Sequence, residues 1–379
     1  MYEAILPVIS YVQKFGLIWS LRFSTIILKS KEKSIWLLSA YRSDSHASWA
    51  DWLVDTFTQF HWHKLELPGR HFRWRIRGNP LSWLHALPEE LPDFILATSM
   101  VDISTIKGLH PRLANIPCIY YFHENQFSYP VSKHQVDSVE PKMVQLYGAI
   151  VADKLLFNSA YNRDSFLEGV SHLLNKFPDK IPDGIVDTLR EKSDVLPVVI
   201  RPIEHDEVKN KKLILWNHRW EYDKAPQVFC DALIKLDENN IDFKLALLGS
   251  RSKVKPDELL EIEEKFGDKI LVNEKMSRQD YKKYLGQSSI VVSTAIHEFQ
   301  GLSVLEAISA GAVPVVPDDL CYQEQYETKY RYEAGDCCSL AEMLSEYLKT
   351  TPESPDVSYW YSEKLINEWR MVLQSGFCS

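Results

Sequence analysis

The segment Ser289–Pro317 constrains the fold more than any other part of the chain, because it alternates between strand and helix patterns. Ile290–Val292 is a short β-branched run, typical of a strand buried in a parallel sheet. After a polar loop, Leu302–Ile308 carries apolar residues at helical spacing, and Gly311 follows where a left-handed helix cap is expected. Val313–Val316 then resumes a strand. The order strand, loop, helix, strand predicts an open α/β sheet.

Two glutamates, Glu298 and Glu306, flank the turn at Gly301 in this segment. Ligands of open α/β sheets bind beyond the carboxyl ends of the strands, and free N–H groups at a helix start suit a diphosphate. Both carboxylates could accept hydrogen bonds from sugar hydroxyls. Alternatively, Glu298 is an acid favoured by the helix dipole and Glu306 is a solvated helix residue. These two residues alone leave both interpretations open.

The whole segment resembles the nucleotide-sugar site of retaining GT-B glycosyltransferases of the family 4 type. The resemblance implies an α/β fold with two Rossmann-like domains facing each other across a cleft. It further implies that Glu298 and the N–H groups after it hold the donor sugar, whereas Glu306 binds the ribose. The residues that carry those N–H groups are Phe299, Gln300, Gly301 and Leu302.

A second pair of residues, Arg219 and Lys224, follows the predicted strand Leu213–Asn217. Both can converge on one diphosphate and neutralise the charge that develops as it leaves. An isolated arginine and lysine at this spacing carry little information. Together with the two glutamates, however, they match the diphosphate-binding arginine and lysine of the same family in order and spacing. The resemblance therefore assigns both to the donor site.

With 379 residues and 45% apolar content, the chain is long enough for two α/β domains. We expect an acceptor domain at residues 34–200, a nucleotide-sugar domain at residues 201–358, and a C-terminal helix at residues 359–379 that packs back on the first domain. The crossover is expected near Val198–Asn210. Residues 170–196 are charged and contain several prolines, which favours irregular structure.

Residues 1–33 are expected to form an N-terminal extension. Lys14 and Arg22 interrupt its apolar stretch Ile5–Leu28, which weakens a membrane-span interpretation, although a membrane anchor remains an alternative. Six cysteines lack CxxC spacing, so a reduced cytoplasmic location without a metal site is expected. No stable membrane partner is expected either, and the sequence leaves the oligomeric state open.

Polar residues also follow two predicted strands of the first domain. The first of these loops follows Ile35–Leu38 and is predicted to run from Ser39 to Ser48. In the glycosyltransferases that the chain resembles, this loop is usually rich in glycine and faces the acceptor substrate. Here it contains no glycine, but Ser45 and His46 can donate hydrogen bonds to that substrate. Ser45 could instead be a helix N-cap. After the strand Pro117–Phe122 comes a polar run that is well placed to line the cleft. This run consists of His123, Glu124, Asn125 and Gln126.

The segment His61–Pro80 reverses the charge of the protein locally: it carries five basic side chains against Glu66, whereas the net charge of the chain is −9. We predict an extended segment with two different faces. One face would hold Arg73, Arg75 and Arg77, and the other Phe72, Trp74 and Ile76. With Arg70, these residues suit the phosphates and bases of looped RNA. A half-buried strand with a solvated face is the alternative.

More particular strings resemble the tRNA-queuosine α-mannosyltransferase family over about Ser34–Pro317. They are Tyr121–Gln126, Tyr129–Pro130, Phe157–Ser159, His218–Glu221, Asp223–Lys224, Ser293–Ala295 and His297–Phe299. The resemblance implies transfer of mannose from GDP-mannose, without a metal and with retention, to queuosine in the anticodon loop of tRNA-Asp. Catalytic roles would fall to Arg219, Lys224, Glu298 and His123. Two rivals are a family 4 enzyme with a lipid or polysaccharide acceptor and a non-catalytic protein that binds RNA or a nucleotide sugar.

Overall fold

The computed structural model describes residues 32–129, 138–250, 255–274 and 276–375. Most of the predicted N-terminal extension therefore lies outside the described residues. Within the described ranges, no helix combines the length and the apolar character that a membrane crossing requires.

The first sheet has six parallel strands in the order β2-β1-β3-β4-β5-β6. Its strands are β1 (Ser34–Arg42), β2 (His61–Pro68), β3 (Phe94–Thr98), β4 (Cys118–Phe122), β5 (Lys154–Phe157) and β6 (Ser193–Val195). The helices that connect them are α1 (Asp44–Thr56), α2 (Phe72–Ser82), α3 (Ile103–Leu109), α4 (Glu140–Val151), α5 (Ala160–Leu174) and α6 (Ile185–Glu191).

The second sheet also has six parallel strands, in the order β12-β11-β10-β7-β8-β9. Its strands are β7 (Asn210–Trp216), β8 (Lys244–Leu247), β9 (Ile270–Asn273), β10 (Ser288–Val292), β11 (Val313–Pro317) and β12 (Arg331–Tyr332). The associated helices are α7 (Pro226–Glu238), α8 (Asp257–Phe266), α9 (Arg278–Gln287), α10 (Leu302–Ser309), α11 (Tyr322–Gln325) and α12 (Cys337–Lys349). The predicted unit of strand, loop, helix and strand is therefore β10, its loop, α10 and β11.

Apolar side chains cover both faces of the first sheet, as parallel strands require. Trp36 and Leu38 of β1 join the core beneath α2 to α5, whereas Ile35 and Leu37 of the same strand join the core on the opposite face. The last helix, α13 (Ser362–Ser375), completes that second core. The second face of the first sheet is therefore covered in part by this C-terminal helix.

The C-terminal helix α13 crosses back onto the first sheet through tryptophan. The ring of Trp369 lies 5.8 Å from that of Trp49 and 6.2 Å from that of Trp52, and all three side chains are buried. Trp369 Nε1 also donates a 3.3 Å hydrogen bond to the carbonyl of Pro197, just before the crossover. The helix thereby fixes the crossover against the first domain.

Two stretches differ from their sequence-based predictions. The predicted loop Ser39–Ser48 is largely ordered into β1 and α1, and Ser43 rather than Ser45 precedes the first helical residue. Residues 170–196 were expected to be irregular, but they contain the end of α5, all of α6 and β6. Buried Val170 and Leu189 anchor these elements in the core, and this tertiary burial outweighs the local charge and proline content.

Candidate active site

The loops after β7 and β10 form one half of the candidate site. These strands are parallel neighbours, with Ile214 paired to Ile290 and Leu215 paired to Val291. Because their carboxyl ends meet at the same edge of the sheet, the loop that carries Arg219 and Lys224 reaches the loop that carries Glu298. The backbone joins them directly, since the N–H of Ile296 donates to the carbonyl of Asp223 at 2.9 Å.

Lys224 is the most constrained cation of this edge. Its side chain is buried, and Nζ donates to the carbonyl of His297 at 2.7 Å and to Glu298 Oε2 at 3.2 Å. Nζ also lies 3.3 Å from Asp223 Oδ2. Burial alone would lower the pKa of Lys224, but the charges of Glu298 and Asp223 outweigh burial and raise that pKa. The ammonium group is therefore a fixed positive charge at the carboxyl end of the sheet.

Arg219 lies on the same loop but keeps its guanidinium accessible. Its side chain is 53% exposed, and it forms ion pairs with Glu221 at 3.1 Å and with Asp223 at 3.7 Å. Asp223, to which the sequence analysis assigned no role, thus lies between the arginine and the buried Lys224. Both predicted cations therefore lie beside the same carboxylate, and a half-exposed arginine next to a fixed lysine can bind an anionic group.

Glu298 is held as a carboxylate by its surroundings. Burial alone would raise its pKa, but the neighbouring charge of Lys224 and a backbone hydrogen bond from Gly301 lower it to about 2. Oε1 also accepts a 3.1 Å hydrogen bond from the N–H of Phe299. The side chain is therefore ionised at neutral pH and fixed in orientation, as a hydrogen-bond acceptor for a sugar hydroxyl would need to be.

The turn after Glu298 requires a left-handed backbone conformation at Gly301. Gly301 has φ of +67°, a region that L-residues seldom adopt, and it immediately precedes α10. A side chain at this position would also approach the ring of Tyr322 to 3.0 Å. Leu302 begins the helix, so its N–H belongs to the first turn, which is left free to meet a ligand.

The side chains of Phe299 and Gln300 face away from a donor. Phe299 is buried between the rings of His297, at 4.7 Å, and Tyr161, at 5.9 Å. Gln300 is buried as well and pairs with the backbone of Val198 in the crossover. Only the backbone of these two residues can serve the donor in the way the sequence predicts.

Glu306 lies on α10, and one oxygen of its carboxylate is bound by Tyr281, a residue that was not predicted from the sequence. Tyr281 Oη of α9 donates to Glu306 Oε2 at 3.2 Å. Burial raises the pKa of Glu306, while this hydrogen bond and the charge of Arg278 act in the opposite direction. A tyrosine within an unremarkable amphipathic helix gives no motif, so only the packing of α9 against α10 reveals this contact.

On the first domain, the rings of His46 and His123 are buried side by side, tilted by 44° and with centroids 4.0 Å apart. His46 Nδ1 is 2.7 Å from Ser43 Oγ, and Ser45 lies 3.4 Å from the same hydroxyl. Burial lowers the pKa of His46 to about 4 and that of His123 well below its ordinary value. Both rings are therefore neutral. His123 Nε2 is buried without a partner among the described residues, so its hydrogen-bonding capacity is unused.

The polar residues after β4 are of two kinds, one accessible from the cleft and one buried in the loop. Glu124 is partly exposed, and burial raises its pKa while the charge of Arg219 across the cleft opposes this. Asn125 is fully buried: its amide nitrogen lies within 3.1 Å of Asn162 and Ser165, and its oxygen accepts from the N–H groups of Phe127 and Ser128. Contrary to the prediction that Asn125 contacts the acceptor, its side chain supports the loop.

Gln126 is also buried, and both its backbone and its side chain make hydrogen bonds within this loop region. Its N–H donates to Gln145 Oε1 at 2.7 Å, and its side-chain nitrogen lies 3.4 Å from Glu124 Oε1. Gln145 in turn donates to the carbonyl of Glu124 at 3.3 Å. The backbone of this loop is thereby fixed, and the Glu124 carboxylate is the group that it presents towards the second domain.

The prediction of an extended segment at Arg70–Arg77 is wrong, because residues 72–82 form the helix α2. The alternating pattern also fits a helix in which Ile76 is buried and Arg73 and Trp74 are exposed, Trp74 by 81%. Asn79 stabilises the helix by donating to the carbonyls of Arg75 and Ile76 and accepting from the N–H of Asp102. The arginines therefore surround a helix and do not share one face of a strand.

The arginines at positions 70–77, of which Arg70 precedes the helix, have different environments. Arg77 pairs with the buried Asp102 at 2.6 Å, so it has a structural partner. Arg70 and Arg73 are exposed, and Arg75 is half-exposed. Phe72 packs edge-to-face on Tyr41, with ring centroids 6.2 Å apart. Burial and the charge of Glu124 raise the pKa of Tyr41, and the charge of Arg219 opposes this rise. The start of α2 therefore adjoins the cleft.

Histidines that the sequence did not single out also line the second domain. His218 and His297 are buried, and burial lowers the pKa of each to about 4. His297 additionally lies 4.4 Å, ring to ring, from Tyr129 of the first domain. His218 and His297 both begin sequence strings that resemble the mannosyltransferase family, and these strings could have identified them as candidate site residues.

One group of potential metal ligands occurs among the described residues, at the start of α12. Asp336, Cys337 and Cys338 place ligand atoms within 4.8 Å of one another. Asp336 is the N-cap of this helix and accepts a hydrogen bond from the N–H of Cys338 at 2.7 Å. Helix capping accounts for the position of the carboxylate.

Two family models match the chain. The model described as tRNA-queuosine alpha-mannosyltransferase N-terminal matches residues 34–200, and the model described as glycosyl transferases group 1 matches residues 201–357. The tRNA-queuosine alpha-mannosyltransferase of Drosophila melanogaster is 32% identical over 315 residues, which cover 79% of this chain and 84% of the fly protein. These matches confirm the glycosyltransferase class and the hexosyltransferase activity predicted from sequence.

Solved structures confirm the GT-B fold. The sucrose-phosphate synthase of Thermosynechococcus elongatus has a TM-score of 0.67 at 11% identity, covering 91% of this chain and 99% of its own. HepE of Anabaena, in complex with UDP-glucose, has a TM-score of 0.63 at 11% identity, covering 90% and 100%. TarM of S. aureus has a TM-score of 0.58 at 16% identity and covers 79% of this chain, which spans only 59% of the TarM chain. At these identities the likeness concerns the fold alone.

Proposed function

Because the chain belongs to the tRNA-queuosine alpha-mannosyltransferase family, we propose that it transfers mannose from GDP-mannose to queuosine in the anticodon loop of tRNA-Asp. The observation that carries the proposal is the charged cluster at the carboxyl ends of β7 and β10, in which Lys224 binds Glu298 beside the exposed Arg219. The polar loop after β4 faces this cluster from the first domain. A nucleotide sugar and an acceptor hydroxyl would meet between them.

The donor diphosphate would occupy the space in front of Arg219 and Lys224. Lys224 is already fixed by three oxygen partners, so its charge costs no reorganisation when the diphosphate leaves. Arg219 is accessible and can form a bidentate contact with the phosphate oxygens. The N–H groups of Gln300 and Leu302 would complete the contact at the start of α10, whereas those of Phe299 and Gly301 donate to Glu298 and hold its carboxylate in place.

The sugar would be held by Glu298 and His123. Glu298 is ionised and accepts hydrogen bonds only, whereas the neutral His123 carries one donor and one acceptor nitrogen. Because no carboxylate is assigned as a covalent nucleophile, we infer a front-face displacement. The acceptor oxygen forms the new bond to the anomeric carbon as the bond to the diphosphate oxygen breaks, and the acceptor proton passes to that departing oxygen. Retention of configuration follows from attack on the same face.

The acceptor RNA would approach along the start of α2. Arg70 and Arg73 are exposed cations, and Trp74 next to them exposes an aromatic face that can stack on an unpaired base. The Tyr41–Phe72 contact joins this helix to the cleft, so phosphate contacts on α2 are compatible with a nucleotide reaching Glu124. Glu124 and Gln126, with Ser45 and His46 behind them, would form the acceptor side.

We further propose a cytoplasmic location. In support, Cys118, Cys230, Cys321, Cys337 and Cys338 are all free thiols, as expected in a reducing compartment.

A transfer assay tests the proposal. The full chain is incubated with radiolabelled GDP-mannose and with tRNA that carries queuosine, the same tRNA lacking queuosine, or membrane lipid. We expect label only in queuosine-containing tRNA, and Arg219→Ala serves as the matched inactive protein. Label in lipid would favour the family 4 enzyme with a lipid acceptor. Binding of GDP-mannose and tRNA without any transfer would favour a non-catalytic binding protein.

A further inference from the structure

The carboxylate of Glu306 is held by a chain of polar contacts that starts at the end of β7. Tyr281 Oη of α9 donates to Glu306 Oε2 at 3.2 Å, and Asn217 Nδ2 donates to Tyr281 Oη at 3.2 Å. Asn217 Nδ2 also donates to the carbonyl of Ser303 at 2.7 Å, in the first turn of α10. The tyrosine hydroxyl is thus connected to both elements that carry donor-site residues.

This arrangement fixes the proton of the tyrosine. Because Asn217 donates its amide hydrogen to Oη, the tyrosine hydroxyl accepts on one side and gives its own proton to the carboxylate. Burial raises the pKa of Tyr281 further above its usual range, so the hydroxyl stays protonated at neutral pH. Tyr281 is therefore a permanent donor that engages Oε2 and leaves Oε1 of Glu306 for another partner.

The same contact affects the charge of Glu306. Burial raises the pKa of this carboxyl, and only two described groups oppose the rise: the hydrogen bond from Tyr281 and the positive charge of Arg278, both from α9. A protonated Glu306 would lose part of its accepting capacity towards hydroxyl groups. Tyr281 therefore helps to orient the carboxylate and to keep it ionised.

We propose that Tyr281 is a positioning residue of the donor site, which holds Glu306 in the orientation and charge state that receive the ribose hydroxyls of the nucleotide. The inference rests on the proposed function, since it takes Glu306 as the ribose contact. Tyr281 itself would not touch the reacting atoms. Its removal should therefore weaken donor binding without slowing the chemical step.

The test compares Tyr281→Phe with the parent in GDP binding and in turnover. Loss of one hydrogen bond to a carboxylate should weaken GDP binding about tenfold and raise the KM for GDP-mannose by a similar factor, with kcat unchanged. As the pH is lowered, GDP affinity of the variant should begin to fall at a higher pH than that of the parent, because the bond that lowers the Glu306 pKa is gone. Tyr284→Phe, on the same helix, is the matched control and should bind GDP as the parent does.

A second ligand, 2′,3′-dideoxy-GDP, distinguishes this inference from the proposed function. The parent should bind it about tenfold or more weakly than GDP, whereas Tyr281→Phe and Glu306→Gln should discriminate far less between the two. If Glu306→Gln discriminates like the parent, the ribose assignment itself is wrong. If Glu306→Gln loses discrimination but Tyr281→Phe keeps it, with an unchanged pH profile, the positioning role of Tyr281 alone is overturned. Lower thermal stability of Tyr281→Phe with parental discrimination would equally overturn it.

Discussion

Gln300 and Val198 are joined by two hydrogen bonds between one side chain and one backbone unit. Gln300 Nε2 donates to the Val198 carbonyl at 2.7 Å, and Val198 N–H donates to Gln300 Oε1 at 3.0 Å, with both residues buried. Gln300 belongs to the donor loop and Val198 to the crossover between the two sheets. The contact thus ties the conformation of the donor loop to the segment that sets how the domains meet.

Replacing Gln300 with Ala should destabilise the protein and weaken donor binding. The change leaves a buried N–H and a buried carbonyl unpaired, and each such group costs about 1–3 kcal/mol. Chemical denaturation should therefore show a lower free energy of unfolding, and the KM for GDP-mannose should rise because the donor loop loses its anchor. Gln323→Ala, at an exposed position of α11, is the control and should change neither quantity. Parental stability of Gln300→Ala would mean that the pairing contributes nothing.

Arg219→Ala and Lys224→Ala should differ in stability although both reduce turnover. Loss of a charged contact to the leaving diphosphate should slow turnover on the order of a hundredfold or more in each case. Arg219 is half-exposed, so its ion pairs contribute about 1 kcal/mol or less. Removing Lys224 leaves Asp223 and Glu298 without their buried cation, which typically costs about 3–5 kcal/mol. Thermal unfolding of the two variants, beside single-turnover rates, checks both parts.

Equal stability of the two variants would show that the Lys224 cluster is hydrated in solution. Near-normal turnover of Arg219→Ala would instead remove the arginine from the diphosphate site.

Acidification should destabilise the protein from about pH 6.5 downward. Burial lowers the pKa of His46, His218 and His297 from 6.5 to about 4 and that of His123 well below 6.5, so the unfolded chain binds more protons between pH 6.5 and pH 4. Each of these histidines should lower the free energy of unfolding by about 1.4 kcal/mol per pH unit within that window. Below about pH 4.5, Glu298 adds a further loss, because its pKa is lowered to about 2 in the folded protein and its carboxyl is protonated first in the unfolded chain. Denaturation curves at pH 8, 6 and 5 measure the slope.

His46→Gln provides the internal check on that slope. The variant lacks one of the four buried histidines whose pKa is lowered, so its free energy of unfolding should change less steeply between pH 6 and pH 5. A slope equal to that of the parent would mean that His46 is not buried in the folded protein in solution.

The elements that were predicted correctly are those whose local sequence pattern agrees with their environment in the folded protein. Ile290–Val292 has a strand pattern because it is buried on both faces, and Gly311 adopts φ of +81° because the helix must end there. The resemblance placed Arg219 and Lys224 on the same loop as each other, and the structure brings both to Asp223. Such features are set by residues that are close in sequence.

The features that were predicted wrongly, or not predicted, depend on contacts between residues that are distant in sequence. Residues 72–77 alternate charged and apolar side chains, a pattern that favours a strand, yet the segment is a helix because Asn79 and Ile76 are buried against β3 and its loop. The roles of Asn125 and Tyr281 were likewise set by partners, Asn162 and Glu306, that no spacing rule connects to them. Tertiary packing decided these cases against local propensity.

The exposed start of α2 gives the final prediction, which concerns the acceptor. Trp74→Ala should weaken tRNA binding by about 1–3 kcal/mol, the usual contribution of a stacked base, and it should leave stability unchanged because the side chain is 81% exposed. Leu81→Ala, 71% exposed on the same helix, is the matched control and should not change tRNA affinity. Affinity is measured with tRNA that carries queuosine, alongside GDP affinity, which should be parental in both variants.

The arginines of this helix, together with Arg70 just before it, should separate into two classes. Arg70→Gln and Arg73→Gln remove exposed charges, so each should weaken tRNA binding and reduce the steepness of its salt dependence, without loss of stability. Arg77→Gln leaves the buried Asp102 without its cation and should lower stability instead. Titrations of tRNA at several salt concentrations, together with thermal unfolding, distinguish the two effects. If Arg70→Gln combined with Arg73→Gln binds tRNA like the parent at every salt concentration, α2 is a solvated helix and the acceptor reaches the cleft by another surface.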